Sequence, residues 1–334
     1  MAHRHNGPVD IAATGPGSRS RPRPNWPELP ETVRAGVEGM LGASVVSADS
    51  VSLGLTPGLA SRIRLADGRR AFLKAAGVHR GVSEVEKLRR EARVLAALPP
   101  EAPAPRLIGV YDDGRWTALA CTDVDGRPPV LPWTPGDLER VLGAVADCAA
   151  ATTPAPLSGP RFVTDWAADL TGWRYLASAP SAGPALRAAL PADLADRALG
   201  DLPELARLEA GWSVRADGET LLHGDLRADN ILLTDDRVWF VDWPSACVGA
   251  AWLDLVFLLP GIVATTDTVD AEDVVRTHPL TRDVAPETIT ATVAALAGFL
   301  VTVGLEPAPW YAPEVRAFQL AEAAAALRWL YRRR

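Results

Sequence analysis

The chain has 334 residues, with 41 acidic against 34 basic side chains and a formal net charge of −7. That balance speaks against a nucleic-acid binder, which carries a basic domain or stripe, and the length exceeds one average domain. Cys121, Cys148 and Cys247 stand far apart without a C-x-x-C spacing, which predicts neither a disulfide framework nor a zinc site and points to the cytoplasm.

Residues 1–30 are rich in Arg, Pro, Gly and Ser and lack apolar periodicity, so a disordered tail is expected there. It has no apolar core of a secretory signal, and its His3 and His5 make a poor metal site. A short helix over 31–41 should precede three strands at 45–53, 61–65 and 70–75, the last two joined by the hairpin signal Asp67-Gly68. The turn at Gly54–Gly58 is glycine-rich but lacks G-x-G-x-x-G, and Pro57 has no N–H to donate. No G-x-x-x-x-G-K-[ST] occurs, which excludes a Walker-type ATPase.

Lys74 is the only lysine in those strands. The next helix is expected to start at Ser83, in an S-x-x-E box with Glu86, and to carry an apolar stripe of Val85, Leu88, Ala92 and Leu95. Glu91 borders that stripe and can point inward. Strands at 106–113 and 115–121 lead into the connector ACTDVDG. Beyond it the chain turns helical and alanine-rich. Thr134-Pro135 with Asp137 marks a helix start running to about 151, and a Pro-rich connector, 153–160, follows. Trp166, Leu170 and Trp173 recur at helical spacing, which reads as core, with a sugar-stacking platform as the second reading. Further helices are expected at 202–212, 252–259 and 313–329, and the terminal Arg332–Arg334 reads as a solvated end. Thr288–Leu305 is uncharged and just long enough for a membrane span, but its threonines and glycines fit a buried helix of a large lobe better, so no membrane partner is expected.

The stretch most informative about chemistry is Leu221–Pro244, LLHGDLRADNILLTDDRVWFVDWP. An apolar pair enters a polar loop, a strand at 231–233 follows, and the turn TDDR leads to a second strand at 238–241 that delivers Asp242. The loop fits H-x-D-x-x-x-x-N, in which the Asp takes a proton from an attacking hydroxyl and the Asn, five positions on, holds magnesium. His223, Asp225 and Asn230 occupy those places, and the hairpin folds Asp242 back toward Asn230. An amide oxygen and a carboxylate are the hard ligands that magnesium prefers.

HGDLRADN followed by VDWP, Gly249, Asp254 and Leu255 resembles the aminoglycoside phosphotransferase family, small-molecule kinases of protein-kinase-like fold. The resemblance implies an α+β, bilobal fold: an N-terminal lobe over 31–122 with an antiparallel sheet plus helix, and a larger, mainly helical lobe over 123–334. It implies Asp225 as base, magnesium on Asn230 and Asp242, and His223 and Asp254 as braces of the loop. Lys74 then lies against the ATP phosphates with Glu91 as its partner, and backbone near Cys121–Asp123 binds adenine. ATP, Mg2+ and a small hydroxylated substrate are the implied partners. An aminoglycoside-like or amino-sugar acceptor comes first, with choline, another alcohol, a macrolide, or a catalytically silent nucleotide-binding regulator as alternatives. Arg227, Ala228 and Asp229 stand where many members have His-Pro or His-Pro-Gly, a departure that bears on the acceptor. For a polycationic acceptor the carboxylates of Asp267, Asp270, Glu272, Asp273 and Glu314 are the expected collectors.

Overall fold

The computed structural model describes residues 24–51, 58–179, 182–309 and 312–334. The turn at Gly54–Gly58 lies outside them except for Gly58, as do His3 and His5. In chain order the elements are α1 (Glu31–Leu41), β1 (Val45–Ser50), β2 (Leu59–Leu65), β3 (Arg70–Gly77), α2 (Val82–Ala97), β4 (Leu107–Asp112) and β5 (Trp116–Cys121). They continue as α3 (Pro135–Ala151), α4 (Phe162–Asp165), α5 (Gly172–Ser178), α6 (Ala182–Ala189), α7 (Ala192–Gly200), α8 (Leu202–Glu209) and β6 (Thr220–Leu222). The last are β7 (Ile231–Leu233), β8 (Val238–Phe240), β9 (Cys247–Gly249), α9 (Leu253–Val263), α10 (Ala271–Thr277), α11 (Pro286–Gly304) and α12 (Val315–Arg333). The class is α+β.

These residues form two compact units, one of 24–129 with 229–246 and one of 130–228 with 247–334. The division therefore falls after Pro129 rather than at 122, and the hairpin β7–β8 belongs with the sheet. Backbone pairing explains both departures: Arg127 and Leu233 exchange hydrogen bonds of 3.0 and 2.7 Å, and Phe240 N donates to Pro103 O at 2.6 Å.

The first unit is built on an antiparallel sheet of order β1-β2-β3-β5-β4. Alternation along β3 sends Ala71, Leu73 and Ala75 to the face covered by α1, while Lys74 and Ala76 turn to the opposite face. Ala76 packs there with Val85 and Leu88 of α2, so the strand period alone decides that Lys74 meets α2. Trp26 and Leu29 are buried in the α1-side cluster, which corrects the tail boundary of 30. An aromatic and a leucine from 24–30 bury enough apolar surface to order that end of the segment. The start of α2 also differs. Gly81, not Ser83, precedes its first residue, and no side chain caps it; Glu86 pairs instead with Arg89 at 2.6 Å.

In the second unit α11 packs against α12, α5 and α8. By length and composition α11 is the one described helix apolar enough to cross a membrane, yet 78% of its apolar window is buried inside the protein. Trp166 and Trp173 are buried, which removes the sugar-stacking reading; Trp173 Nε1 donates to Ala294 O at 2.7 Å, and Trp166 stacks on Phe162. The buried Glu209 accepts from the amides of Trp173 and Arg174 at 2.8 and 3.0 Å, satisfying donors at the start of α5. Of the C-terminal arginines, Arg332 and Arg334 are exposed as expected, but the Arg333 side chain is 4% exposed and pairs with Glu272; Arg334 reaches Asp201 at 2.9 Å.

The crossing of α5 and α11 is a close backbone approach, since a Cβ on Gly172 would lie 2.1 Å from Gly298 O. No side-chain rotation relieves a clash with backbone. Gly172→Ala is expected to lower unfolding free energy by about 1–3 kcal/mol in urea titrations through overpacking. Gly143→Ala, at an α3 position with nothing within 4 Å, should instead raise it by about 0.5–1 kcal/mol through helix propensity.

Candidate active site

In the sheet unit the site is organised by Lys74. Its central-strand position pairs with Ala60 on β2 and Leu119 on β5, which fixes the direction of the side chain. The ammonium donates to Glu91 Oε1 and Oε2 at 2.7 and 2.8 Å and to Asp242 Oδ1 at 2.6 Å. Glu91 follows the buried Val85 and Leu88 on the inner stripe of α2 and is itself buried. Burial works against the lysine's charge, but the carboxylates of Asp242 and Glu91 outweigh it and raise Lys74 above its ordinary value. Burial likewise pushes the Glu91 carboxyl up, with Lys74 pulling it back.

Asp242 is delivered by the hairpin. β7 and β8 pair Ile231 with Phe240 and Leu233 with Val238, and Val241 N donates to Asn230 O at 2.9 Å. The ends of the two strands, one carrying Asn230 and the other leading to Asp242, are thereby held together. The buried Trp243 anchors the exit through Nε1 to Phe240 O at 2.8 Å. Asp242 adopts φ 69°, the only positive φ of a non-glycine among the described residues. Aspartate tolerates that region better than most residues, but the conformation still costs on the order of 1 kcal/mol or more. A buried amide and a strained, half-exposed carboxylate on adjoining strand ends are the hard oxygen donors that magnesium takes, so Asn230 and Asp242 fit the ion.

Cys121 closes β5 and is buried, its thiol pushed up to about 12 by burial and by the nearby Glu91. The Asp123 side chain has a role that the sequence did not disclose. It bridges Arg70 of β3 at 2.6 Å and Arg62 of β2 at 3.5 Å, and Arg62 also donates to Val124 O at 3.0 Å. The segment after β5 is thus tied to two strands of the sheet. Two acids within 123–125 and an arginine on each of β2 and β3 were the available signal.

In the helical unit, β6 and β9 pair Leu222 with Cys247 and Leu221 with Val248, setting the entry to the loop at 223–228. Asp254, in the first turn of α9, accepts from His223 N at 2.7 Å and Gly224 N at 3.0 Å. Burial pushes the Asp254 carboxyl up, and His223 and the two amides pull it back. Gly224 has φ 78°, the left-handed region that glycine enters without penalty. His223 is fully buried, and its Nδ1 accepts from Asp225 N at 3.3 Å, holding the loop from inside. Arg227 Nη1 lies 3.3 Å from Asp225 Oδ1, a contact that the sequence signalled only as a cation two residues past the base.

Three of the five carboxylates expected to collect a polycation have partners within the protein. Asp270 caps α10 and meets Arg332 at 3.4 Å, Glu272 takes Arg333 and Trp329 Nε1, and Asp273 pairs with Arg276 at 2.9 Å.

A model of the phosphotransferase enzyme family matches residues 59–286, more than half of the chain. The chain belongs to the phosphotransferase enzyme family. It is a phosphotransferase by family. Among solved structures, this phosphotransferase resembles a thermostable mutant of aminoglycoside phosphotransferase APH(4)-Ia in its apo form, with 18% identity and a TM-score of 0.53 over 88% of this chain and 98% of that one. A complex of an APH(4)-Ia mutant with ADP and hygromycin B gives 17%, 0.51, 89% and 98%. Choline kinase LicA from Streptococcus pneumoniae gives 13%, 0.52, 87% and 98%. At these identities the likeness is one of fold. Among curated proteins no match is found.

Removing Lys74 leaves Glu91 as an uncompensated buried charge, whereas removing both partners leaves a packable apolar gap. Lys74→Met is therefore expected to cost roughly 3–5 kcal/mol in chemical denaturation, and Lys74→Met with Glu91→Leu to recover at least half of that.

Proposed function

We propose that this phosphotransferase moves the γ-phosphoryl group of ATP to a hydroxyl of a small molecule, with magnesium held by Asn230 and Asp242. The observation that carries the reading is the Lys74 ammonium bound at 2.6–2.8 Å by a helix carboxylate and by the carboxylate that ends the hairpin. That arrangement presents a fixed cation to the α- and β-phosphates and a carboxylate to the metal. When bound, magnesium neutralises phosphate oxygens and so eases departure of ADP. Asp225 orients the acceptor hydroxyl and takes its proton, while His223 and Asp254 hold the loop so that the carboxylate needs no reorganisation. Backbone of Cys121–Asp123, fixed by Arg62 and Arg70, is the segment we assign to adenine. A silent nucleotide-binding regulator is disfavoured because the base, both metal ligands and the lysine are all present.

For the acceptor we rank amino-sugar and aminoglycoside-like alcohols first, on the fold shared with the hygromycin B complex, with choline next on the fold shared with the choline kinase. Pairing of Asp270, Glu272 and Asp273 with arginines of the same unit weakens the argument for a strong polycation. The three buried cysteines, none in a disulfide, are in keeping with a cytoplasmic location. A screen of ATP consumption over hydroxylated antibiotics, amino sugars, choline and water tests the reading directly; no consumption with any of them rejects it.

Asp225→Asn should lower turnover by ~100-fold or more while leaving nucleotide affinity nearly unchanged, because general-base contributions have that size. Turnover within tenfold of wild type would remove the base assignment. ATP should raise the melting temperature more with magnesium than with EDTA, and Asp242→Ala should abolish that difference. Differential scanning fluorimetry of the two proteins reads it out, and an unchanged difference places the metal elsewhere.

A further inference from the structure

The ladder between β3 and β5 ends with Phe72 opposite Cys121. Carried two residues further, its register sets Arg70 opposite Asp123, and those two meet by side chains alone: Arg70 Nη2 and Nε reach Asp123 Oδ2 at 2.6 and 2.9 Å. Arg62, opposite Phe72 on β2 and so on the same face, lies 3.5 Å from the other carboxylate oxygen and donates to Val124 O at 3.0 Å and Asp125 Oδ1 at 3.3 Å. Thr122 N donates to Arg106 O on the β4 side, so strand alternation turns the amide and carbonyl of Asp123 toward β3, where a continued ladder would engage them. Instead, the N–H and C=O of Asp123 and the N–H of Val124 make no hydrogen bond among the described residues. The Asp123 side chain is 2% exposed while the residue as a whole is partly exposed, so the part that faces out is its main chain. An ion pair thus keeps the register of a strand and leaves the strand's hydrogen-bonding groups open to water or a ligand.

We propose that Asp123 is a positioning residue for the nucleotide base, its buried carboxylate fixing the open main-chain groups of residues 123 and 124 where the edge of a purine meets them. The proposal rests on the assignment of this segment to adenine made above. The carboxylate touches no substrate and acts through the backbone that it holds. An adenine edge offers an amino donor beside a ring-nitrogen acceptor, and a few backbone N–H and C=O groups set in place are what orients a ligand in such a pocket. A segment already ordered by Arg70 and Arg62 needs no ordering when the base arrives, and the affinity gains by that amount. The anchor is also referenced to Lys74. Arg70 and Lys74 share a face of β3 four residues apart, about 13 Å at ~3.3 Å per residue, so one strand sets the spacing between the base-facing backbone and the phosphate-facing ammonium.

The test titrates the full chain at fixed magnesium with AMP-PNP and with inorganic tripolyphosphate, which both carry three phosphates and differ chiefly by the adenosine. Isothermal titration calorimetry gives both Kd values, and in the wild type AMP-PNP should bind at least about tenfold tighter. Asp123→Ala should weaken AMP-PNP by about tenfold, and by no less than about fivefold, with tripolyphosphate within about threefold; tenfold is ~1.4 kcal/mol, the order of fixing one residue's backbone. Asp123→Asn, which keeps the shape and loses the charge, should fall between wild type and Asp123→Ala. Arg70→Met should weaken AMP-PNP by at least about threefold, and adding it to Asp123→Ala should change little, about twofold at most, because the two side chains act as one unit. Melting temperatures within a few degrees of wild type confirm folded variants. If Asp123→Ala melts early, Arg70→Met decides, since that arginine is 50% exposed. Smaller AMP-PNP losses than these, equal losses for the two ligands, or independent effects in the double variant would overturn the proposal and leave the kinase reading standing. A wild type that binds AMP-PNP less than about tenfold tighter than tripolyphosphate removes the adenine assignment, and one that binds neither rejects the kinase reading; the proposal falls with either.

Discussion

A buried ammonium cannot stand alone in a protein, and the sheet unit is arranged around that constraint at Lys74. Its partners come from an adjoining helix and from a hairpin 168 positions further along the chain. Each alone would leave the charge half-compensated, at a cost of several kcal/mol. Such a pair adds little net stability over apolar residues of the same size. What it supplies is position: α2, β3 and the end of β8 have one arrangement in which the charges meet. The left-handed backbone at Asp242 is tolerated because that arrangement fixes it.

The same physics runs through charges that do no chemistry. Asp123 joins Arg62 and Arg70, and the arginines ending α12 neutralise Glu272 and Asp270. A run of like charge in a sequence therefore carries little information about ligands until its partners are known. Asp267–Asp273 read as a surface that gathers cations, and Arg332–Arg334 as a solvated end, because the two stretches lie some sixty positions apart. Asp270 and Glu272 of the first meet Arg332 and Arg333 of the second.

Local signals made much of the fold legible. The alternation in β2 and β3, the hairpin at Asp67-Gly68, the Thr134-Pro135 helix start and the apolar length of α11 all reappear, because each depends on residues only a few positions apart. At the site, the spacing of Asp225, Asn230 and Asp242 and the inward face of Glu91 were readable for the same reason. The direct contact of Lys74 with Asp242 was not, nor the assignment of β7–β8 to the sheet unit. The short helices α6 and α7 escaped because their alanine-rich stretches carry few large apolar residues to set a period. Trp26 and Leu29 were hidden by the proline and arginine around them, since composition averaged over thirty residues masks two that find a core.

That late hairpin has a consequence for how the chain acquires its structure. Arg237 Nη2 donates to Glu101 O and Ala102 O at 3.0 and 2.8 Å across a sequence separation of 136 and 135 residues. During synthesis the sheet unit stays incomplete until residue 246 has left the ribosome, and the segment 130–228 made in between belongs to the other unit. Closing so long a loop adds only slowly to the entropic cost, which rises with the logarithm of its length, but the contacts it makes are among the most non-local in the molecule and slow the search for them. The sheet with its five strands is made before residues 130–228, yet its unit is completed only after them.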